Sequence, residues 1–166
     1  MFETGIRVGS NSETGGSVKA YGATTLQARH VKVMASGRVW LDFVGKKGVR
    51  IKLRVPNPWL AEQLIARKEA AGAAYSTPLF ETSDSSTRRY FKTLGDGSFS
   101  PKDFRTLRGT SIAIDELEGK KIPESKTKRN VLIREVCKKV ASALGNTPTV
   151  AKASYIDPSV WAPFGV

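Results

Sequence analysis

Sulfur and imidazole are scarce in this 166-residue chain, which has one cysteine, Cys137, and one histidine, His30. A lone cysteine excludes an intramolecular disulfide and any cysteine-based zinc cluster, and it fits a reducing compartment. A single imidazole leaves no histidine-rich metal site, and nothing in the sequence resembles a cluster of acidic metal ligands. No stretch approaches the roughly 20 apolar residues of a membrane span, and the N-terminus lacks the charged and apolar regions of a signal peptide. A serine-hydrolase triad would have to use His30, and no Gly-x-Ser-x-Gly elbow accompanies it. Gly45-Lys46-Lys47 lacks the spacing of a phosphate-binding Walker loop. Internal repeats and low-complexity tracts are absent as well. These absences describe a soluble, intracellular, cytoplasmic protein.

Positive charge is what the chain has in excess. Its 27 Lys and Arg against 15 Asp and Glu give a formal charge of +12. That is far beyond what solubility requires and points to a polyanionic partner, nucleic acid first and an anionic membrane surface second. Basic ribosomal and chromatin-type proteins share this balance, so charge alone does not separate a catalyst from a binder. The length suits a single domain, residues 1–166, built around one core.

The residue pattern predicts an α+β chain, mainly α-helical, with one small sheet. The stretch from Arg7 to Ala23, rich in Gly and Ser, reads as a loop anchored by Tyr21. Three runs, HVKVM, VWLDFV and VRIKLRV, read as an antiparallel three-stranded meander between Val31 and Val55. In the third, Val49, Ile51, Leu53 and Val55 alternate with Arg50, Lys52 and Arg54, which makes one face apolar and the other cationic. That cationic face is either solvated or a DNA contact.

After Pro56 the spacing becomes helical, with Trp59, Leu60, Leu64 and Ile65 on one side, and a second helix covers Ser85 to Leu94. Ser100-Pro101-Lys102-Asp103 is a helix start, with Phe104, Leu107 and Ile112 facing inward. A charged connector from Lys120 to Arg129 leads to a helix over Asn130 to Leu144. Its stripe is Val131, Ile133, Val136, Val140 and Leu144, and Gly145 ends it. Thr147-Pro148 and Asp157-Pro158 start two short final helices around Tyr155.

Taken singly, the chemically interesting residues have ordinary explanations. Arg105, with Lys102 and Arg108, belongs to a basic helix face of the kind usually solvated or touching phosphate. Lys46 lies in a Gly-Lys-Lys-Gly hairpin tip that turn chemistry explains. A tyrosine placed like Tyr155 is more often an amphipathic lid on a core than a nucleophile. His30, opening a strand beside Arg29, suits a structural role.

Five segments in order change that balance: Ile6-Arg7-Val8-Gly9, YGATTLQARHV (21–31), LDFVGKKGV (41–49), KDFRTLRGT (102–110) and LGNTPTVAKASYIDP (144–158). Together they resemble the catalytic domain of type IB DNA topoisomerases, particularly the bacterial and poxvirus-like branch, over nearly the whole chain. The resemblance implies a helical catalytic core of the fold that this family shares with tyrosine recombinases. A recombinase or integrase catalytic domain, or a non-catalytic basic DNA-binding protein, is the competing reading. Lys102, where recombinases usually have His, and the short Lys46 hairpin favour the topoisomerase.

Carried onto this sequence, the resemblance makes Arg7 and Arg105 the holders of the scissile phosphate's non-bridging oxygens, a task suited to planar, always-charged guanidinium forks. Lys46 becomes the general acid for the departing 5′ oxygen, Tyr155 the nucleophile, and Lys102 an assisting basic residue. Asn146 stands where many members carry His in a Gly-His-Thr-Pro motif. An amide donates a hydrogen bond to the phosphate there but contributes no charge. Arg50, Lys52 and Arg54 would grip the duplex. The resemblance implies relaxation of supercoiled double-stranded DNA through a 3′-phosphotyrosyl intermediate, with no metal or nucleotide cofactor, by a monomer located at the nucleoid if bacterial. Relatives carry an N-terminal β-rich clamp domain, and only six residues precede Arg7, so this expectation places the clamp outside the chain.

Overall fold

Three runs of alternating apolar residues pair into the expected antiparallel sheet, β1 (Val31–Val33), β2 (Val39–Val44) and β3 (Arg50–Arg54), in the order β1-β2-β3. The computed structural model describes residues 1, 3–10, 18–94 and 96–165. It divides into two compact units, Met1 with Glu3–Pro101, and Lys102–Val166. The α+β, mainly helical class is as the sequence pattern indicates. No helix among the described residues is long and apolar enough to cross a membrane.

In the first unit, register decides which side chains are buried. Leu41 pairs with Val31 and Leu53, and Phe43 pairs with Ile51, so the apolar set lines one face. That face meets Leu26, Ala28, Leu64 and Leu79 in a single cluster. The cluster is backed by α1 (Pro58–Ala70), whose Asn57 caps it by accepting from the Leu60 amide at 3.1 Å, with Pro58 in the first turn. A second helix, α2 (Asp84–Thr93), is capped by the Ser83 hydroxyl.

The second unit is built on α3 (Pro101–Leu117) and α4 (Lys126–Leu144), followed by α5 (Pro148–Ser154) and a 3₁₀ segment, Pro158–Phe164. Ile133, Val136, Cys137, Val140, Ala141 and Leu144 of α4 pack with Ala113, Ala151, Tyr155, Ile156, Trp161 and Phe164. Gly145 closes α4 in the left-handed conformation (φ 61°, ψ 51°), and the Asn146 amide returns to the Ala141 carbonyl at 2.9 Å. Thr147 caps α5 and Asp157 caps the last segment, as their positions before Pro suggest.

Four expected core residues are on the outside. Trp59, Leu107, Val131 and Val49 are 67%, 50%, 48% and 45% exposed, Val49 because it precedes β3, which starts at Arg50. A helix turns about 100° per residue. Leu107 therefore points roughly opposite to buried Arg105, as Val131 does to buried Ile133. The stripe that α3 turns inward is Arg105, Gly109 and Ala113, four residues apart, with Ile112 beside it. A charged side chain occupies a core position that the apolar pattern assigned to Leu107. The helices also begin earlier than their apolar spacing suggests, α4 by four residues at Lys126. Of the loop expected from Arg7 to Ala23, residues 11–17 lie outside the described residues.

Candidate active site

In the first unit Arg7 sits between Ile6 and Val8, both 5% exposed, so alternation turns its side chain away from the apolar cluster. Its backbone is clasped by the Tyr21–Thr25 segment: the Ala23 amide donates to the Arg7 carbonyl at 2.8 Å and the Thr24 amide to Val8 at 2.7 Å. The Thr24 hydroxyl adds a second bond to Val8 at 3.0 Å. Such an approach requires glycine at 22, because a Cβ there would lie 2.5 Å from the Gly9 nitrogen and 2.7 Å from the Arg7 carbonyl oxygen.

The same segment reaches the hairpin through the Tyr21 amide, which donates to the Val44 carbonyl at 2.7 Å. Two residues further on is Lys46, in an exposed 3₁₀ turn, Lys46–Gly48, between β2 and β3. The Gly45 amide closes this turn on Val49 at 2.8 Å, and Lys47 (φ 62°) and Gly48 (φ 74°) supply its left-handed residues. Backbone bonds made by residues 21–24 therefore link the stretch carrying Arg7 to the hairpin carrying Lys46.

In the second unit Arg105 is 3% exposed, its Nη2 donates to the Leu144 carbonyl at 2.9 Å, and its guanidinium lies 4.8 Å from the centre of the Tyr155 ring. Tyr155 is 7% exposed and belongs to the apolar cluster, at the C-terminal end of α5, with its amide bonded to Ala151 at 3.0 Å. The guanidinium thus spans two elements: the end of α4, two residues before Asn146, and the nucleophile candidate. Stacking on an aromatic face suits a delocalised, weakly hydrated cation and holds its plane while charge is retained. Lys102 lies one turn before Arg105 and is exposed. The candidate residues therefore fall in two groups, Arg7 and Lys46 in the first unit, and Arg105, Asn146 and Tyr155 in the second.

A family model describing the catalytic core of eukaryotic DNA topoisomerase I matches residues 1–159. The chain belongs to this family. Every candidate site residue of the topoisomerase reading falls inside the matched span. No curated protein matches the chain at a significant level.

The proposed duplex-gripping face of the topoisomerase sheet is less uniformly cationic than β3 alone suggests. Arg50 makes a two-pronged bond to Asp42 of β2, Nε to Oδ1 and Nη2 to Oδ2, each at 2.9 Å. The Asp42 carboxyl is held below its usual range, chiefly by that hydrogen bond. Lys52 stands 5.9 Å from the Trp40 ring, and Arg54 lies across from Trp40. Sequence reasoning missed Asp42 because only the β2–β3 register sets it against the basic residues. It also missed Thr106, Gly109 and Thr110, although all three lie in the KDFRTLRGT segment. The Thr106 hydroxyl points to the Ser154 carbonyl at 3.4 Å, and the Thr110 hydroxyl accepts from the Asp157 amide at 2.9 Å.

Proposed function

We propose that this chain is the catalytic domain of a type IB topoisomerase that relaxes supercoiled duplex DNA by cutting and resealing one strand. The observation that carries the reading is the pairing of Arg105 and Tyr155: a buried guanidinium stacked on a tyrosine ring, in the segments that resemble the family's phosphate-holding and nucleophile motifs. Tyr155 Oη attacks the scissile phosphorus and gives up its proton to solvent water. The bond from phosphorus to the 5′ oxygen breaks, Lys46 protonates that oxygen, and the DNA is held as a 3′-phosphotyrosyl ester. Arg7 and Arg105 neutralise the non-bridging oxygens as charge builds on them, Asn146 donates an uncharged hydrogen bond, and Lys102 assists nearby.

One ester replaces another, so the step is close to energetically neutral and needs no nucleotide hydrolysis. Two arginines and a lysine supply positive charge without a metal ion. While the ester persists, the free 5′-hydroxyl end swivels about the intact strand, and the reverse attack reseals it. Gripping the duplex falls to phosphate contacts from the basic surface, Arg50, Lys52 and Arg54 among them, with little base reading. Asn146 in Gly145-Asn146-Thr147-Pro148 supports placement in the bacterial and poxvirus-like branch.

The test is relaxation of supercoiled plasmid in EDTA without ATP, followed by denaturation to trap protein-linked DNA. The unmodified protein should relax the plasmid and form the adduct. Tyr155→Phe should lose both while still binding DNA, because only the hydroxyl is removed. An adduct persisting in Tyr155→Phe would move the nucleophile to another tyrosine.

A further inference from the structure

We infer that Gly109 and Thr110, on the face of α3 that also carries Arg105, are positioning residues that set the Tyr155 nucleophile at a fixed distance from that arginine; this rests on the topoisomerase reading of Tyr155. Three contacts dock residues 154–157 onto one side of α3. The Thr106 hydroxyl reaches the Ser154 carbonyl at 3.4 Å while also lying 3.3 Å from the Lys102 carbonyl of its own helix. A Cβ built on Gly109 would fall on the Tyr155 carbonyl oxygen and 3.2 Å from Leu144 Cδ1, so the α3 backbone meets the nucleophile's own peptide. The Thr110 hydroxyl accepts the Asp157 amide at 2.9 Å.

Residues 106, 109 and 110 share one helical face by their spacing of three and four, and Arg105 adjoins it. Tyr155 has a non-helical backbone (φ −136°, ψ 7°) at the point where α5 stops. The Ala151 bond behind it and the α3 contacts beside it bear on where its ring leaves the chain. In-line attack on phosphorus tolerates little displacement, and an error of about 1 Å in the attacking atom costs on the order of a hundredfold in rate. Gly109 is thus glycine because of what it touches, and Thr110 carries a hydroxyl because the Asp157 amide needs an acceptor on that side of Tyr155.

The experiment measures single-turnover formation of the covalent adduct at saturating DNA, with DNA affinity and thermal midpoint measured in parallel. Thr110→Val, which keeps the shape and removes the acceptor, should slow adduct formation roughly tenfold to a hundredfold with affinity unchanged. Thr110→Ser, which restores the acceptor, should recover most of the rate. Gly109→Ala should be slower than Thr110→Val. Ile133→Val, a core change in the same unit, should lower the thermal midpoint without changing the rate, so that loss of stability alone is distinguished from misplacement. An unchanged rate in Thr110→Val, or a Thr110→Ser variant as slow as the valine, overturns the assignment. An adduct in Tyr155→Phe overturns the nucleophile reading instead, and does so whatever the Thr110 variants show.

Discussion

His30, the chain's one histidine, is built into the first unit as a neutral acceptor. The Gln27 amide donates to its Nδ1 at 3.1 Å, the Tyr21 ring packs edge-on at 4.4 Å, and Phe43 lies beyond. Burial, reinforced by Arg29 and Lys32, lowers its pKa from 6.5 to about 4. Below pH 6.5 the unfolded chain takes up a proton that the folded chain refuses until about pH 4. Stability should therefore fall as the pH drops through this window, by up to about 3 kcal/mol, and the histidine adds no further loss below it. Asp42, whose pKa is lowered, acts at a different place: its contribution is lost only as the pH falls below the ordinary carboxylate range. His30→Asn keeps an acceptor near Nδ1 and removes the titration. Urea unfolding between pH 7 and pH 4 should give a flatter profile for that variant, and an equally steep one would mean that another group sets the slope. The structural role assigned to His30 from its place in the sequence is thereby given a physical content. For Arg105 sequence reasoning stopped short, since nothing in the spelling KDFRTLRGT says which basic residue turns inward.

At the scale of elements, the contact between Arg7–Gly9 and Tyr21–Thr25 brings backbone close against backbone. Gly22 is extended (φ −155°), so its need for glycine is one of space alone. Gly37, at the β1–β2 turn, is the reverse: its φ of +75° disfavours a side chain, while nothing lies within 4 Å of a Cβ there. Gly22→Ala forces backbone against backbone and should cost about 1–3 kcal/mol, while Gly37→Ala should cost about 1 kcal/mol through its dihedral angles. The distinguishing measurement is DNA cleavage under conditions where both variants are folded. Gly22→Ala should cleave more slowly because Arg7 shifts with its carbonyl, and Gly37→Ala should cleave normally. Equal cleavage by the two would separate the clasp from the chemistry. The elements themselves were largely legible, since β2 and the proline-led helix starts match their residue patterns. Trp59, Leu107 and Val131 were misassigned because apolar residues were taken as inward without fixing the phase of each helix.

For the molecule as a whole, a net charge of +12 dictates how DNA affinity should respond to salt. Each neutralised phosphate releases condensed counterions, with a slope of about −0.9 in log affinity against log salt. A surface gripping several phosphates should give a slope steeper than about −3 with little dependence on sequence. Binding titrations on unrelated duplexes across a salt series measure this, and a slope worth one or two ions would contradict the phosphate grip. Arg50 should add less to that slope than Lys52 or Arg54, because Asp42 already matches its charge.

The sequence by itself determined the charge excess, the class of fold, the positions of turns and helix starts, and the order of the motifs that mark the family. These are properties of local spelling: alternation, 3.6-residue spacing, and Pro, Gly and capping residues acting on their immediate neighbours. Only the tertiary structure decided that Arg105 is buried over the Tyr155 ring, that Asp42 answers Arg50, and that Thr106, Gly109 and Thr110 hold the chain around the tyrosine. Each depends on residues far apart in sequence meeting through strand register or helix phase, and neither is set by the identity of a residue or of its neighbours.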